Sequence, residues 1–340
     1  GVADGDDSEE MVTLLGNKGA QLQGMTKIGL NVPPGFTITT EVSEKYFSSN
    51  GQLPDGLMED VRNNMSRLEE IAGLKFGDAE NDPLLVSVRS GAAVSMPGMM
   101  QTILNVGLTD EAVHAYKERH NNEQASRFIL DTYRRLFEMF GENVHGIEKE
   151  AFRNIFDGLK SEVNIKEDTQ LTSSHLETLV SRYKELYTKH DKSLPQDPII
   201  QLKEAIIAVE ESSMGQKAIA YRRAEGLPEK VFTGVNIQTM VYGNENTTNC
   251  GTGAGFTRNP ETGAKEPYGE FLLGGQGEDV VSGRRNVYPL STMKDMLPDA
   301  YKQLMYVFEI LEKYKREVQD IEFTVWNGEL YMLQTRNGKM

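Results

Sequence analysis

The sequence has one cysteine, no long hydrophobic run and too few basic residues to balance its acidic ones. Cys250 has no second cysteine to pair with, which excludes an internal disulfide and is typical of a reducing compartment. No apolar run approaches the ~18 residues that a membrane helix needs, and no signal peptide is recognisable. The 51 acidic and 36 basic residues give a net charge of -15. We therefore expect neither nucleic acid nor an anionic membrane as a partner.

The length of 340 residues exceeds one typical domain and allows a large core. The chain begins at Gly1 without an initiator methionine and ends shortly after Arg336, so we expect it to be one module of a longer protein. None of its five histidines has a second histidine or a cysteine at metal-ligand spacing. We expect solvated or capping roles for all of them: His114, His120, His145, His175 and His190.

The C-terminal segment carries the clearest local pattern. Two β-rich runs flank Asn327-Gly328, which is a strong hairpin signal. In the first run, alternation places Asp320 and Glu322 on one face. Two carboxylates at this spacing can hold a hard divalent cation through oxygen ligands, although an ordinary solvated hairpin face has the same pattern.

The register of this hairpin decides which polar groups meet. A two-residue Asn-Gly turn pairs Glu322 with Leu333 and leaves Gln334 on the opposite face. A three-residue loop pairs Glu322 with Gln334 and Asp320 with Arg336. We favour the three-residue loop because it gathers the polar groups onto one face.

Two cationic positions nearer the N-terminus suit a phosphate. Lys18 lies among the glycines of Gly16–Gly19 at a predicted helix start, where free N–H groups and the helix dipole favour an anion; a solvated surface lysine is the alternative. The buried strand 84–88 delivers Arg89 at its end, and its rigid fork matches phosphate, as it would a protein carboxylate. Proline and glycine in the following segment 96–100 predict a mobile methionine-rich loop.

The middle of the chain is helical and the remainder alternates strands with loops. Helical periodicity predicts helices at roughly 111–120, 123–141, 148–160, 174–190, 198–213 and 299–316. Strands are predicted at 231–242, 251–257 and 268–272. The first of these strands, followed by a hinge-like polar loop at 244–249, could offer its backbone to an adenine edge, as could any edge strand. Residues 274–279 form a glycine-rich loop.

Seven segments in this order resemble the ATP-binding domain of the pyruvate, phosphate dikinase family. They are LLGNKGAQLQGM, NVPPGFTITT, VSVRSGAAVSMPGMMQTILNVG, VNIQTMVYG, GTGAGFTRNPETG, YGEFLLGGQGEDVVSGRR and DIEFTVWNGELYMLQTRNG. The resemblance implies an α+β ATP-grasp fold, in which two lobes clamp ATP and a helical subdomain is inserted. It implies a first lobe at 1–110 and 200–243, a helical insert at 111–199, and a second lobe at 244–340 with the metal-binding hairpin.

The resemblance also implies roles for individual residues. Lys18 and Arg89 would bind the triphosphate and, with Arg336 beside the phosphates, act in catalysis. The adenine would be framed, partly through backbone, by three residues: Gln238, Met240 and Val241. Glu270 would lie near the nucleotide. Mg²⁺ would be held by Asp320, Glu322 and Gln334. The loop 96–100 would close over the phosphates.

The family reaction is ATP + phosphate + pyruvate = AMP + pyrophosphate + phosphoenolpyruvate. It uses a phosphorylatable histidine in a Gly-Gly-x-x-Ser-His context and a pyruvate-binding barrel, and neither is present here. We therefore expect this chain to bind ATP, Mg²⁺ and inorganic phosphate, to work with those separate domains, and to reside in cytoplasm or an organellar stroma such as a plastid. The alternatives are a module of a phosphoenolpyruvate synthase-like enzyme, whose strand-end arginine is usually followed by Ser-Ser-Ala rather than Ser90-Gly91-Ala92, and a non-catalytic nucleotide-binding module.

Overall fold

The computed structural model describes residues 9–338 apart from Ser95, Pro97 and Arg284. The helices are α1 (Glu9–Lys27), α2 (Thr40–Ser48), α3 (Leu57–Ala72), α4 (Asp110–His120), α5 (Glu123–Asn143), α6 (Lys149–Glu162), α7 (Ser173–Lys189), α8 (Pro198–Ser212), α9 (Gln216–Ala224), α10 (Gly277–Val281), α11 (Met293–Met296) and α12 (Pro298–Lys315). The strands are β1 (Gly35–Ile38), β2 (Val86–Ala92), β3 (Thr102–Val106), β4 (Thr233–Thr239), β5 (Gly251–Phe256), β6 (Tyr268–Leu273), β7 (Tyr288–Pro289), β8 (Gln319–Trp326) and β9 (Glu329–Asn337).

The strands form two antiparallel sheets, which together with the helices give the expected α+β fold. The first sheet has the order β1-β4-β2-β3, and the second has the order β7-β6-β5-β8-β9. Within the described residues, no helix is both long enough and apolar enough to cross a bilayer.

Arg89 lies in the middle of β2, so the prediction that it ends the strand was wrong. The strand continues because Ser90, Gly91 and Ala92 remain paired with β4. The small residue at position 91 lets α1 pack closely on this sheet, since an added Cβ at Gly91 would come within 3.0 Å of the Cβ of Lys18. Arg89 is therefore held by strand pairing on both sides of it.

Helix α1 is interrupted where it crosses the first sheet. Gly16 has φ 72° and ψ 166°, a conformation open almost only to glycine. A Cβ at this position would lie 1.3 Å from the carbonyl oxygen of Gly91. The helix consequently restarts after Gly16, and its new N-terminus begins at Asn17 and Lys18, in keeping with the predicted helix start.

The helical region is close to its prediction. Helices α4 to α8 match the five predicted helices of this region to within two residues at each end. Their apolar faces join the residues under the first sheet in a single core, which includes Val86 and Val235 from the sheet and Phe137 and Tyr183 from the helices. The helical region is thus packed continuously against the first sheet.

The hairpin β8–β9 contains a two-residue turn, so the predicted three-residue loop was wrong. Trp326 pairs with Glu329 across that turn. Further along, the register shifts because Leu333 is an extra residue in β9, and Glu322 faces Gln334 while Asp320 faces Arg336. The predicted pairing of the polar residues is confirmed, but a β-bulge produces it rather than the loop length.

The second sheet has its own core, and the N-terminal helix contributes to it. Met25 and Leu30 pack with residues of β8 and α12, such as Phe323 and Leu304. The segment after α1 is also bonded to β9, because Asn31 donates to the Leu330 carbonyl at 3.0 Å. The N-terminal segment therefore contacts both sheets.

Candidate functional site

A cavity of about 670 Å³ lies between the two sheets. The first sheet contributes β2 and the end of β4, and the second contributes β5, β8 and β9. The other lining residues come from the restart of α1, the loop after β2, strand β3, helix α5 and helix α10 with the residue before it. This volume suits a small-molecule ligand.

The ionisable residues lining this cavity are mostly basic, in contrast to the whole chain. Three cations, Lys18, Arg89 and Arg336, line it together with two carboxylates, Glu278 and Glu322. Glu278 is already paired with a guanidinium outside the cavity, that of Arg135. An acidic protein thus concentrates positive charge at one cavity, which favours an anionic ligand.

Lys18 is partly buried at the restart of α1, among other cations. Burial, reinforced by Arg89 and Arg336 and opposed by Glu322, lowers the pKa of Lys18 from 10.5 to about 7. An anion placed beside this amine would favour its charged form. The phosphate role of Lys18 stays a prediction.

The Arg89 guanidinium is buried and oriented by neutral groups. Its Nη2 donates to Gln238 Oε1 on the neighbouring strand and to the Leu333 carbonyl at 3.0 Å. Leu333 is the bulged residue of β9, so this second bond joins the two sheets. Burial lowers the pKa of Arg89, and Glu322 opposes that shift. The Nε atom is buried without a hydrogen-bond partner among the described residues.

The hairpin brings the predicted metal ligands to one face of the second sheet. Glu322 and Gln334 are cross-strand partners and both line the cavity. Asp320 is instead bonded to Arg336, whose Nε donates to its Oδ2 at 2.6 Å. Burial raises the pKa of Asp320, although Arg336 opposes this effect. No cluster of three His, Cys, Asp or Glu side chains suited to a metal occurs in the described part of the chain.

The residues predicted to frame an adenine are at the end of β4. Gln238, Met240 and Val241 all line the cavity. The Gln238 side chain, however, is bonded at both ends of its amide, to Arg89 and to the Pro33 carbonyl. Glu270 is exposed on β6 and does not line the cavity, although it belongs to the same row of strand partners as Ala254 and Glu322.

The methionine-rich loop after β2 forms part of the cavity wall. Met96 is 6% exposed and packs against Val231, with Met99 and Met100 partly buried beside them. Gly98 and Met100 line the cavity. The predicted mobility of this loop and its closure over phosphates remain predictions, and Ser95 and Pro97 lie outside the described residues.

A buried polar network beside the cavity was missed in the sequence analysis. Asp131 on α5 accepts hydrogen bonds from Arg135 and from Asn244 of the supposed hinge. Arg135 also donates to Glu278 and Asp279 of the glycine-rich loop. Although burial acts the other way, the Arg135 guanidinium holds the pKa of Asp131 well below its usual range. Helical periodicity places Asp131 and Arg135 on the polar face of α5, opposite apolar positions such as Phe137, so the sequence pattern predicts a solvated face there.

The five histidines lie in other parts of the described structure. None of the five is among the described residues that line the cavity. His120 contacts Asp82, His145 contacts the Ser193 carbonyl, and His175 takes part in a helix cap. Among the described lining residues, the cavity therefore has cationic groups suited to an anion and no imidazole.

Comparison with known proteins gives a consistent family match. The family described as the pyruvate phosphate dikinase AMP/ATP-binding domain matches residues 12–73 and 49–294. The chain is 46% identical over 331 residues to a pyruvate, phosphate dikinase of Clostridium symbiosum, covering 97% of the chain and 37% of that relative. It is 43% identical over 352 residues to one from Rhizobium meliloti, covering 100% of the chain and 39% of the relative. A chloroplastic pyruvate, phosphate dikinase of Mesembryanthemum crystallinum is 46% identical over 330 residues, covering 97% of the chain and 34% of the relative. The chain thus spans little more than a third of the length of these relatives.

Proposed function

The chain belongs to the pyruvate phosphate dikinase family through its AMP/ATP-binding domain, and on that premise we propose that it performs the nucleotide half of the dikinase reaction. In this half-reaction, a histidine nitrogen on a separate domain attacks the β-phosphorus of ATP. The bond between the β-phosphorus and the oxygen that bridges it to the α-phosphoryl group breaks, and that oxygen leaves with AMP. Inorganic phosphate then attacks the γ-phosphorus of the histidine-bound pyrophosphoryl group, which releases pyrophosphate and leaves the β-phosphoryl group on the histidine. The relatives are named dikinases, which favours this reading over a synthase-like module.

The observation that carries this proposal is the group of three cations in the cavity of an acidic chain. Lys18, Arg89 and Arg336 converge from α1, β2 and β9 respectively. Phosphoryl transfer is accelerated mainly by positioning the phosphates and stabilising their charge. In the proposed role, these cations hold the triphosphate oxygens and neutralise the charge that builds up on them during transfer.

The oxygen ligands of the hairpin fit a magnesium ion bound together with phosphates. Mg²⁺ in such sites commonly takes one or two carboxylates and completes its shell with phosphate oxygens and water. Glu322 and Gln334 would hold it, and Asp320 can join them only if its pair with Arg336 separates. When bound, the ion would polarise the phosphate oxygens and offset their charge. Replacing both carboxylates, Asp320→Asn with Glu322→Gln, should abolish the Mg²⁺ dependence of ATP affinity, and an unchanged dependence would contradict this assignment.

The proposed function also needs contacts to the adenine base and separate partner domains. Met240 and Val241 at the end of β4 would contact the adenine, and Glu270 would lie farther along the same sheet face. The partners are a phosphohistidine domain and a pyruvate-binding barrel supplied by other parts of the enzyme. A location in cytoplasm or plastid stroma is supported by relatives from bacteria and by the chloroplastic relative.

The proposal is tested by calorimetric titration of Mg²⁺-ATP into the chain and its variants. Lys18→Met and Arg89→Met should each weaken binding by about tenfold or more, because each removes a charge-assisted hydrogen bond. Arg153→Met is the matched control, since Arg153 is a half-exposed arginine on α6 and not a lining residue. It removes the same charge and should leave the affinity unchanged.

Phosphoryl transfer can be measured separately from ATP binding. With a histidine-bearing domain added, labelled ATP should yield AMP and phosphohistidine, and the Arg89→Met variant should yield much less of both. Equal Mg²⁺-ATP affinity in the control and the two cavity variants would contradict the proposed site. Tight binding without transfer to the added domain would favour a non-catalytic nucleotide-binding module.

A further inference from the structure

Resting on the proposed function, we infer that Gln238 is a positioning residue for Arg89 and not a reader of the adenine base. Its amide fixes the guanidinium at the phosphate end of the cavity. This differs from the role that the family resemblance implies for this position.

Both polar atoms of the Gln238 side chain are already used within the protein. Oε1 accepts from Arg89 Nη2 at 2.5 Å, and Nε2 donates to the Pro33 carbonyl at 3.0 Å. The residue is 3% exposed. An adenine edge would have to reach the second hydrogen of Nε2 or the second lone pair of Oε1 on this almost fully buried amide. Displacing Arg89 or Pro33 instead would leave a buried group unpaired, which is costly.

The arrangement leaves part of the Arg89 fork for a ligand. Nη2 uses its two hydrogens on Gln238 and on the Leu333 carbonyl. Nε is buried without a partner among the described residues, and Arg89 lines the cavity. The N–H at Nε is therefore left over for an oxyanion, and a guanidinium that lines the cavity suits phosphate oxygens.

The chemical type of the orienting groups matters as much as their position. An amide oxygen and a backbone carbonyl oxygen are neutral, so they fix the guanidinium without cancelling its charge. A carboxylate at position 238 could still accept from Nη2, but it would lose the donor to the Pro33 carbonyl, would pair with the cation and would compete with a phosphate for it. Gln238 therefore keeps Arg89 both oriented and charged.

The Pro33 carbonyl connects the Gln238 side chain to the second sheet. Pro33 follows Asn31, whose side chain and backbone bond to Leu330 and Met332 in β9. The same strand supplies the Leu333 carbonyl that accepts from Arg89. One acceptor of Nη2, the Leu333 carbonyl, belongs to β9 itself. The other, Gln238, is bonded to Pro33 in the turn after α1, and that turn is bonded to β9.

The test compares three probes: Mg²⁺-ATP, inorganic tripolyphosphate, which has no base, and adenosine, which has no phosphate. In Gln238→Glu we expect affinity for ATP and for tripolyphosphate to fall by the same factor, about tenfold or more, with adenosine affinity unchanged. Gln238→Met, which keeps the length but cannot accept a hydrogen bond, should weaken the same two ligands. Gln303→Glu, a partly buried glutamine on α12 outside the cavity lining, makes the same charge change and should alter none of the three.

A double-mutant cycle with Arg89→Met separates positioning from a general structural effect. If Gln238 acts through Arg89, then Gln238→Glu should no longer weaken tripolyphosphate binding in the Arg89→Met background. An additive loss would overturn the inference, and so would variants that weaken ATP and adenosine while sparing tripolyphosphate. An unsubstituted chain that binds neither ATP nor tripolyphosphate would overturn the proposed function and this inference with it. Normal binding in both Gln238 variants would overturn this inference alone.

Discussion

Lys18 is a strongly perturbed cation of the cavity. Burial and the neighbouring arginines lower its pKa to about 7, so a large part of the amine is neutral in the unliganded protein above that pH. A bound phosphate chain would supply the negative charge that the site lacks and would raise this pKa. Anion binding should therefore be linked to uptake of a proton at Lys18.

This linkage predicts a pH-dependent affinity for tripolyphosphate in the absence of magnesium. The affinity should fall as the pH rises above 7, approaching about tenfold per pH unit while the bound pKa is higher. Lys18→Arg keeps its charge across this range and should show a flatter profile with the same ligand. Calorimetry in buffers of different ionisation enthalpy at about pH 8 measures the proton uptake directly. Parallel profiles for the two proteins would contradict the prediction.

Glu210 on α8 is fully buried, away from the cavity lining. Burial, opposed by the Ser43 hydroxyl, raises its pKa from 4.5 to about 7. The folded state therefore holds a proton that the unfolded state has lost, and its contribution to stability is present below pH 4.5 and is lost as the pH rises through 7. Glu210→Gln should be more stable than the parent at pH 8 by about 3 kcal/mol and similar at pH 4.5. Denaturant unfolding at both pH values tests this, and a constant difference between the proteins would refute it.

At the scale of single elements, the break in α1 determines where Lys18 lies. Gly16→Ala would force a side chain into a glycine-only conformation and against the Gly91 carbonyl. We expect a loss of about 3 kcal/mol or more in the free energy of unfolding. Gly158→Ala is the matched control, because Gly158 lies inside α6 with nothing within 4 Å of an added Cβ. That change should stabilise the chain by about 0.5–1 kcal/mol, and equal effects at both glycines would contradict this account.

The elements with strong periodicity were predictable and the weakly patterned ones were not. Helices α4 to α8 follow from apolar positions at helical spacing, because each packs one face against a continuous core. Helices α2, α3 and α9 and strand β3 were not predicted from the sequence. They pack against elements distant in the chain, as α3 does through Val61 and Met65, so their local sequence specifies them only in part.

The hairpin shows where local rules are insufficient. Its turn follows the Asn-Gly signal, with positive φ at Asn327 and Gly328. The bulge at Leu333 has no comparable local signal. It correlates with a contact made across the cavity, since the Leu333 carbonyl accepts from Arg89. The pairing of Glu322 with Gln334 was predicted correctly from clustering of polar residues, but the mechanism of that pairing required the three-dimensional structure.

On the scale of the whole molecule, the two cores join elements that are far apart in the sequence. The division into 1–110 with 200–243, 111–199 and 244–340 stays a prediction. The first sheet and the helical insert share one core, while α1 contributes Met25 to the core of the second sheet. The cavity between the sheets is thus lined by elements from both cores, including the N-terminal helix and the C-terminal hairpin.

The placement of the histidines across the whole molecule predicts what this chain does by itself. Transfer requires a nucleophile in line with the β-phosphorus and in contact with it, and no histidine is among the described residues lining the cavity. We therefore expect the isolated chain to bind Mg²⁺-ATP, to form no phosphoenolpyruvate from ATP, phosphate and pyruvate, and to release negligible AMP. Labelled ATP and phosphate incubated with and without a histidine-bearing domain measure both products. AMP formed at enzymatic rates without that domain would mean that an acceptor lies within these 340 residues, and His→Asn changes at each of the five positions would then locate it.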